Sequence, residues 1–201
     1  MRHNLSRRGF GTLSVATIAA TLLPQPSLAL NVDEARALID KLIGEINGVI
    51  NSGRSESAMF VDFEGIFSRY ADENYIALSA LGPAGKKASA SQKAAFVKAF
   101  KRYLAVKYGR RFREFIGGKI EVRDARPVKS FYEVISTAKL KGQNPFDVRW
   151  QVFDKSGKDR FFNIIIEGVN MLAAERSEIG ALLDKNGGDI DKLIAALKAQ
   201  G

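Results

Sequence analysis

The stretch FDVRWQVF (146–153) decides the fold of this 201-residue chain, because apolar and polar side chains alternate along it. Every second residue from Phe146 to Val152 is apolar, and the residues between them are polar. Successive side chains of a strand point to opposite faces, so a period of two predicts a β-strand with one buried and one solvated face.

Three neighbouring segments show the same alternation. They are KIEVRDARPV (119–128), FYEVISTAKL (131–140) and RFFNIIIEGV (160–169). The last of these places Phe162, Ile164 and Ile166 on one face. Connections as short as DKSGKD (154–159) join antiparallel neighbours. We therefore predict a four-stranded antiparallel sheet.

Segments with a helical period lie on both sides of these strands. Apolar residues recur at helical spacing over residues 33–50, 59–70, 73–81, 89–117 and the C-terminal 30 residues or so. We expect Asp33 to cap the first helix, Ser89 and Gln92 to form a capping box, and Asp189 to cap the last helix. The order of helices, meander and helices is typical of an α+β fold with N- and C-terminal helices packed on one face of the sheet.

The first 29 residues read as an export signal. Arg2, Arg7 and Arg8 precede a segment without charge, which ends in the small-x-small pattern Ser27-Leu28-Ala29. The stretch SRRGF (6–10) resembles the twin-arginine export motif, and an ordinary secretory signal is the alternative. We predict that residues 1–29 are removed on export and that residues 30–201 form a single domain.

Composition excludes several kinds of chemistry. The chain has no cysteine, and its one histidine, His3, lies in the export signal. The mature chain therefore lacks the residues for a Ser-His-Asp triad, a thiol nucleophile or the usual zinc site, and we predict neither a metal nor a cofactor. Carboxylate pairs such as Asp62 and Glu64, or Asp154 and Glu167, leave an enzyme as an alternative, although such spacings are typical of solvated surface.

Two longer stretches carry a family resemblance. ALSALG (77–82) and SASQKAAFVKAFKRYLAVKYGRRFREFIGGKIEV (89–122) resemble the MlaC, or toluene-tolerance, family. Near the C-terminus, IIIEGVNMLAAERSEI (164–179) is similar to the family's strand-end pattern, with Glu167, Gly168, Val169 and Arg176 matching. Asn163 stands where the family commonly has an aspartate.

The resemblance implies a function without catalysis. Members of this family are periplasmic phospholipid carriers, whose fold holds a lipid-sized cavity between the sheet and the helices. By this resemblance the cargo is phospholipid and the protein is a monomer. Its implied partners are an ABC-type complex at the inner membrane, a lipoprotein complex at the outer membrane and, transiently, the membrane surface. A related branch is associated with hopanoids, so another lipid such as a hopanoid is an alternative cargo.

The apolar faces of helices and sheet suit either a close-packed core or a cavity, since both require the same residue types. With the resemblance, we predict an apolar cavity that binds acyl chains. Its predicted lining residues are Phe67, Tyr70, Tyr75, Phe100, Tyr103, Leu104, Tyr108, Val134, Trp150, Val152, Ile164 and Ile166.

One predicted helix is strongly basic. Eight lysines and arginines lie between Lys93 and Arg113, and the mature chain keeps a formal charge of +6 after the three signal arginines are subtracted from +9. We predict that Arg110, Arg111 and Arg113 dock anionic headgroups or acidic partners, with a merely solvated face as the alternative. Nucleic acid is not expected as a partner, because the export signal directs the protein to the periplasm.

Overall fold

A computed structural model describes residues 30–201, apart from the side chains of residues 110–113. The predicted export signal, residues 1–29, lies outside the described residues. The α+β prediction is confirmed, with five strands instead of four. The helices are α1 (Val32–Ile50), α2 (Glu56–Tyr70), α3 (Glu73–Leu81), α4 (Ala84–Lys87), α5 (Ala90–Arg111), α6 (Met171–Lys185) and α7 (Ile190–Gln200). The strands are β1 (Lys119–Val128), β2 (Phe131–Lys139), β3 (Phe146–Phe153), β4 (Arg160–Ile166) and β5 (Val169–Asn170).

The five strands form one antiparallel sheet in the order β1-β2-β3-β4-β5. The additional strand, β5, arises from the tight turn at Glu167 and Gly168, whose φ angles are 49° and 84°. Positive φ at both central residues is the turn geometry that matches the twist of a hairpin. Because of this turn, Val169 and Asn170 fold back onto Ile166 and Ile165.

A β-bulge changes the predicted alternation in β4. Gln151 pairs with Asn163 but Val152 pairs with Phe161, so Phe162 is the extra residue of the bulge. Phe161 therefore joins the inner face, where its ring centroid lies 5.6 Å from that of Trp150. The alternation in the sequence predicted Phe162, and not Phe161, on the same face as Ile164 and Ile166.

The outer face of the sheet carries charged pairs, as the polar half of the alternation predicts. Arg126 Nη2 lies 2.5 Å from Glu133 Oε1, and Arg149 Nη1 lies 3.9 Å from Glu133 Oε2. Arg123 and Asp147 form a further pair at 3.0 Å. Glu133 is only 4 % exposed because the two arginines lie over it. The exposed Arg123–Asp147 pair contributes little to stability.

Local hydrogen bonds set the helix ends. The Asn31 side chain accepts a bond from Glu34 N and caps α1, so the prediction that Asp33 is the cap is wrong. The Ser89–Gln92 capping box is confirmed by reciprocal bonds of 3.1 and 3.0 Å. Asp189 caps α7 as predicted. The long basic helix ends at Arg111 and continues as a 3₁₀ turn (Phe112–Phe115), short of the predicted end at the double glycine.

Helices cover the inner face unevenly. Helix α1 lies on β1, β2 and β3, whereas α3 and α6 lie on β4. Helix α5 packs against α2, α3 and α7. The space between the C-terminal half of α5 and strands β3 and β4 is the cavity described below.

A side chain covers one position of the sheet edge at β1. Asn47 on α1 donates from Nδ2 to the carbonyl oxygen of Ile120 at 3.0 Å, and its Oδ1 accepts from Ile120 N at 3.2 Å. The amide thus occupies both backbone groups that Ile120 presents at this edge. A register shift between Val122 and Asp124, together with Pro127, further interrupts the strand.

Candidate functional site: an apolar cavity with a charged cluster at its wall

The cavity has a volume of about 160 Å³ and lies between helices and sheet. On this scale a water molecule requires roughly 10–15 Å³, so the cavity has room for roughly ten to fifteen groups of that size. A methylene group is similar in size to a water molecule. The described lining residues are Leu42, Ile46, Phe63, Ile66, Phe67, Ile76, Leu104, Ala105, Tyr108, Gly109, Phe115, Ile120, Val148, Trp150, Phe161, Phe162, Asn163, Ile164, Ile166, Met171, Leu172 and Glu175.

The wall is almost entirely apolar. Two polar atoms near it are satisfied within the fold, because Trp150 Nε1 donates to Ser136 Oγ at 2.9 Å and Asn163 Nδ2 donates to Gln151 Oε1 at 3.0 Å. Asn163 Oδ1 also accepts from the backbone of Leu172, so this residue fixes the start of α6 against β4. These bonded groups offer little to a polar ligand and leave a surface suited to hydrocarbon.

A charged cluster, which we call the Lys107 cluster, borders this wall. Lys107 Nζ lies 2.7 Å from Glu175 Oε1 and 2.5 Å from Glu178 Oε2. Tyr108 donates its hydroxyl to Glu175 Oε1, and Tyr103 donates to Glu178 Oε1. The cluster therefore ties the C-terminal half of α5 to α6.

The protonation of the cluster follows from burial and these bonds. Burial, with the bond to Glu178, raises the pKa of Tyr103 to about 12, and burial with the bond to Glu175 raises the pKa of Tyr108 as well. Burial alone lowers the pKa of Lys107, but its bonds to Glu175 and Glu178 outweigh this and raise it. Burial opposes the ionised form of Glu178, yet bonds from Lys107 and Tyr103 lower its pKa overall. At neutral pH the tyrosines are neutral donors and Lys107 is an ammonium.

One atom of the cluster lacks a partner. Glu175 is 3 % exposed, and its Oε2 receives no hydrogen bond from any described residue. Both donors reach Oε1 instead. A buried acceptor without a donor costs about 1–3 kcal/mol, so this atom is unusual in a folded protein.

Comparison with known proteins agrees with this architecture. The chain matches the family model described as MlaC protein over residues 36–199. The chain belongs to the MlaC family. Its fold is also similar to that of a phospholipid-binding protein from Ralstonia solanacearum, solved in complex with a phospholipid. That match has a TM-score of 0.71 and 16% identity, and covers 83% of this chain and 96% of the other.

The cavity of this MlaC-family chain contains six of the twelve residues predicted to line it. They are Phe67, Leu104, Tyr108, Trp150, Ile164 and Ile166. Five come from the C-terminal half of α5 and the inner faces of β3 and β4, where helix and sheet stand apart. Two of these five, Ile164 and Trp150, pair across the strands.

The other six predicted residues lie elsewhere. Phe100 and Tyr103 are buried on α5 and form a ring contact with each other, while Val134 and Val152 are fully buried in the core beneath the helices. Tyr70 donates its hydroxyl to Glu45 Oε1 at 2.7 Å. The exposed Tyr75 packs edge-on against Phe153 and Phe162. Periodicity selects a whole helix face, but the cavity follows only part of it.

Sixteen lining residues were not among those predicted, and most of them are apolar residues of the same predicted helices and strands. The exceptions with polar side chains are Asn163 and Glu175, and Glu175 carries a charged group. Glu175 lies four residues after Met171 and four before the buried Ile179, so it interrupts an inward-facing helical row. A charge in such a row is a sequence signal that could have identified it.

Several of the basic side chains on α5 are already paired. Lys101 lies 3.3 Å from Glu73, Arg102 lies 3.3 Å from Glu64, and Lys107 belongs to its cluster. The side chains of Arg110, Arg111 and Arg113 lie outside the described residues, so their docking role stays a prediction. The charge available on this helix for binding an external partner is smaller than its composition indicates.

The carboxylates considered as acid and base in the sequence do not line the cavity. Asp62 pairs with Arg54 and Glu64 with Arg102, while Asp154 and Glu167 are exposed. Across residues 30–201 as described, no group of three or more candidate side chains is arranged to hold a metal ion. Over the same residues, no helix is both long enough and apolar enough to span a membrane.

Gly109 permits the close approach of α2 to α5 at the cavity wall. A Cβ at this position would lie 2.7 Å from Phe60 Cε1, well inside a normal contact. We expect Gly109→Ala to lower the free energy of unfolding by about 1–3 kcal/mol through overpacking, measured by urea denaturation. The matched variant Gly44→Ala, on α1 with open space around it, should instead be stabilised by roughly 0.5–1 kcal/mol. Equal stabilisation of both variants would contradict the packing seen here.

Proposed function

We propose that this protein is a lipid carrier that holds phospholipid acyl chains in the cavity and transfers lipid between the outer and inner membranes. The observation that supports the proposal most directly is the apolar cavity between α5 and the sheet. Among the described lining residues, four side chains carry a polar atom, those of Tyr108, Trp150, Asn163 and Glu175. Membership in the MlaC family supports a binding and transport role over an enzymatic one. The phospholipid bound by the Ralstonia solanacearum protein of similar fold supports this cargo.

The energetics of hydrocarbon explain why such a carrier is needed. A common phospholipid has roughly thirty methylenes, each worth about 0.8 kcal/mol when kept from water. Even a discounted total on the order of 20 kcal/mol prevents free passage across an aqueous gap. A cavity of about 160 Å³ has room for about one acyl chain. A second acyl chain would therefore lie at the cavity opening or require the cavity walls to move apart.

The proposed setting is the periplasm. The export signal predicted over residues 1–29 and the family membership support this location. By the same family membership, the proposed partners are an inner-membrane ABC-type complex and an outer-membrane lipoprotein complex, with the protein acting as a monomer. Arg110, Arg111 and Arg113 are proposed to dock the anionic membrane surface or these partners, since they follow the cavity-lining part of α5 in sequence.

The proposal is tested by identifying what the protein holds. We expect protein purified from a bacterial periplasm to show, in native mass spectrometry, an added mass equal to one phospholipid. Organic extraction should release the same lipid, and a hopanoid in the extract would indicate the other cargo. A lipid-free preparation that also takes up no labelled phospholipid from vesicles would overturn the proposal.

A further inference from the structure

The unpartnered oxygen of Glu175 indicates a ligand contact. Glu175 lines the cavity, is 3 % exposed and lacks a donor at Oε2 among the described residues. Buried polar atoms in folded proteins are almost always hydrogen-bonded, and exceptions tend to be functional. Because Oε2 is itself buried, a hydrogen-bond donor on a ligand would satisfy this atom once the Glu175 side chain turns towards the cavity.

The charge of the Lys107 cluster specifies the kind of donor. Two carboxylate groups, Glu175 and Glu178, share the single ammonium of Lys107. Tyr103 and Tyr108 add hydroxyl donors without charge. Counting only the described side chains, the cluster has two negative charges and one positive charge. A cationic donor therefore balances its charge better than a neutral donor.

The position of the cluster suits the polar end of a lipid. The side chain of Glu175 is 4 % exposed, that of Lys107 is 28 % exposed and that of Glu178 is 51 % exposed. The cluster therefore extends from the cavity wall to the protein surface. A ligand with its hydrocarbon in the cavity can place a polar group along this path without burying it completely.

We propose that the Lys107 cluster is a headgroup site that binds the primary ammonium of an aminophospholipid, with Glu175 Oε2 as the acceptor. This inference rests on the proposed lipid-carrier function and adds a preference among headgroups. An ethanolamine headgroup supplies both N–H donors and positive charge. A choline headgroup supplies the charge without an N–H group, and a glycerol headgroup supplies hydroxyl donors without the charge.

The test compares three lipids with identical acyl chains in competition for the intact protein. Vesicles that contain phosphatidylethanolamine, phosphatidylcholine and phosphatidylglycerol in equal amounts are incubated with delipidated protein, and bound lipid is quantified by native mass spectrometry. We expect the ethanolamine lipid to exceed each of the others by roughly tenfold, as for a charge-assisted hydrogen bond. A titration with N,N-dimethylethanolamine lipid, which keeps one N–H, should fall between ethanolamine and choline.

Two variants assign the preference to the cluster. Glu175→Gln removes the acceptor charge, so the ethanolamine preference should fall to within about twofold, because the ethanolamine lipid loses more binding than the choline lipid does. The matched control, Asp184→Asn, removes an exposed carboxylate roughly 13 Å further along α6 and should keep the wild-type preference. These results together would support the site.

Other results would overturn the inference in distinguishable ways. If the wild-type protein binds all three lipids equally, the headgroup site is wrong although the carrier function stands. If Glu175→Gln keeps the full preference, selection arises elsewhere in the protein. If the wild-type protein binds none of the lipids, the proposed carrier function fails together with the inference. The wild-type comparison does not depend on how well the variant folds.

Discussion

Ala105→Trp is expected to remove at least nine-tenths of the lipid held by the protein while leaving it folded. Ala105 lies on α5 at the cavity wall, between the lining residues Leu104 and Tyr108 in sequence. An indole in this space competes directly with an acyl chain. Displacing even two methylenes costs about 1.6 kcal/mol, which is more than tenfold in affinity. Native mass spectrometry and uptake of labelled phospholipid measure the loss.

The control for this experiment uses the same substitution on the same helix. Ala94 is exposed and lies about three turns before Ala105, so Ala94→Trp should bind lipid like the wild type. Circular dichroism and thermal unfolding should show that both variants fold. If Ala105→Trp holds as much lipid as Ala94→Trp, acyl chains do not occupy this cavity.

Phe100→Ala is expected to have the opposite pattern, a large loss of stability without a loss of lipid per folded molecule. Phe100 is 2 % exposed and stacks on Phe96 with ring centroids 5.5 Å apart, in the part of α5 that the cavity does not reach. Removing a buried phenylalanine ring typically lowers the free energy of unfolding by about 3–5 kcal/mol. Urea denaturation measures this loss, and lipid content is compared at a temperature where both proteins are folded.

Phe100→Leu provides a milder partner for this measurement, since it keeps most of the buried volume. We expect it to recover much of the stability that Phe100→Ala loses. If Phe100→Ala instead released lipid from fully folded protein, the cavity would have to extend into the part of the core between α5 and α7.

The sheet could be predicted well because its signal is local. Strict alternation in residues 146–153 already distinguishes an inner face with Val148 and Trp150 from a charged outer face. The bulge that adds Phe161 to the inner face could not be predicted this way. It depends on how β4 pairs with β3, which periodicity within one strand does not contain.

The presence of an apolar cavity could be predicted, but only half of the residues predicted to line it do so. A core side chain such as Phe100 and a cavity side chain such as Leu104 lie one turn apart on α5 and satisfy the same apolar pattern. What separates them is which helices pack above each turn, and that is a property of tertiary contacts. Glu175 was missed for a different reason, because an isolated charge on a helix usually indicates solvent.

The Asn47 side chain on the β1 edge has a consequence for self-association. An exposed strand offers its unpaired backbone groups to the same strand of another molecule, and such pairing can lead to ordered aggregation. Asn47 occupies both groups of Ile120, and at the opposite edge β5 is only two residues long. Both features shorten the length of unpaired strand on which another molecule could add, and so reduce the tendency of the sheet to extend from one molecule to the next.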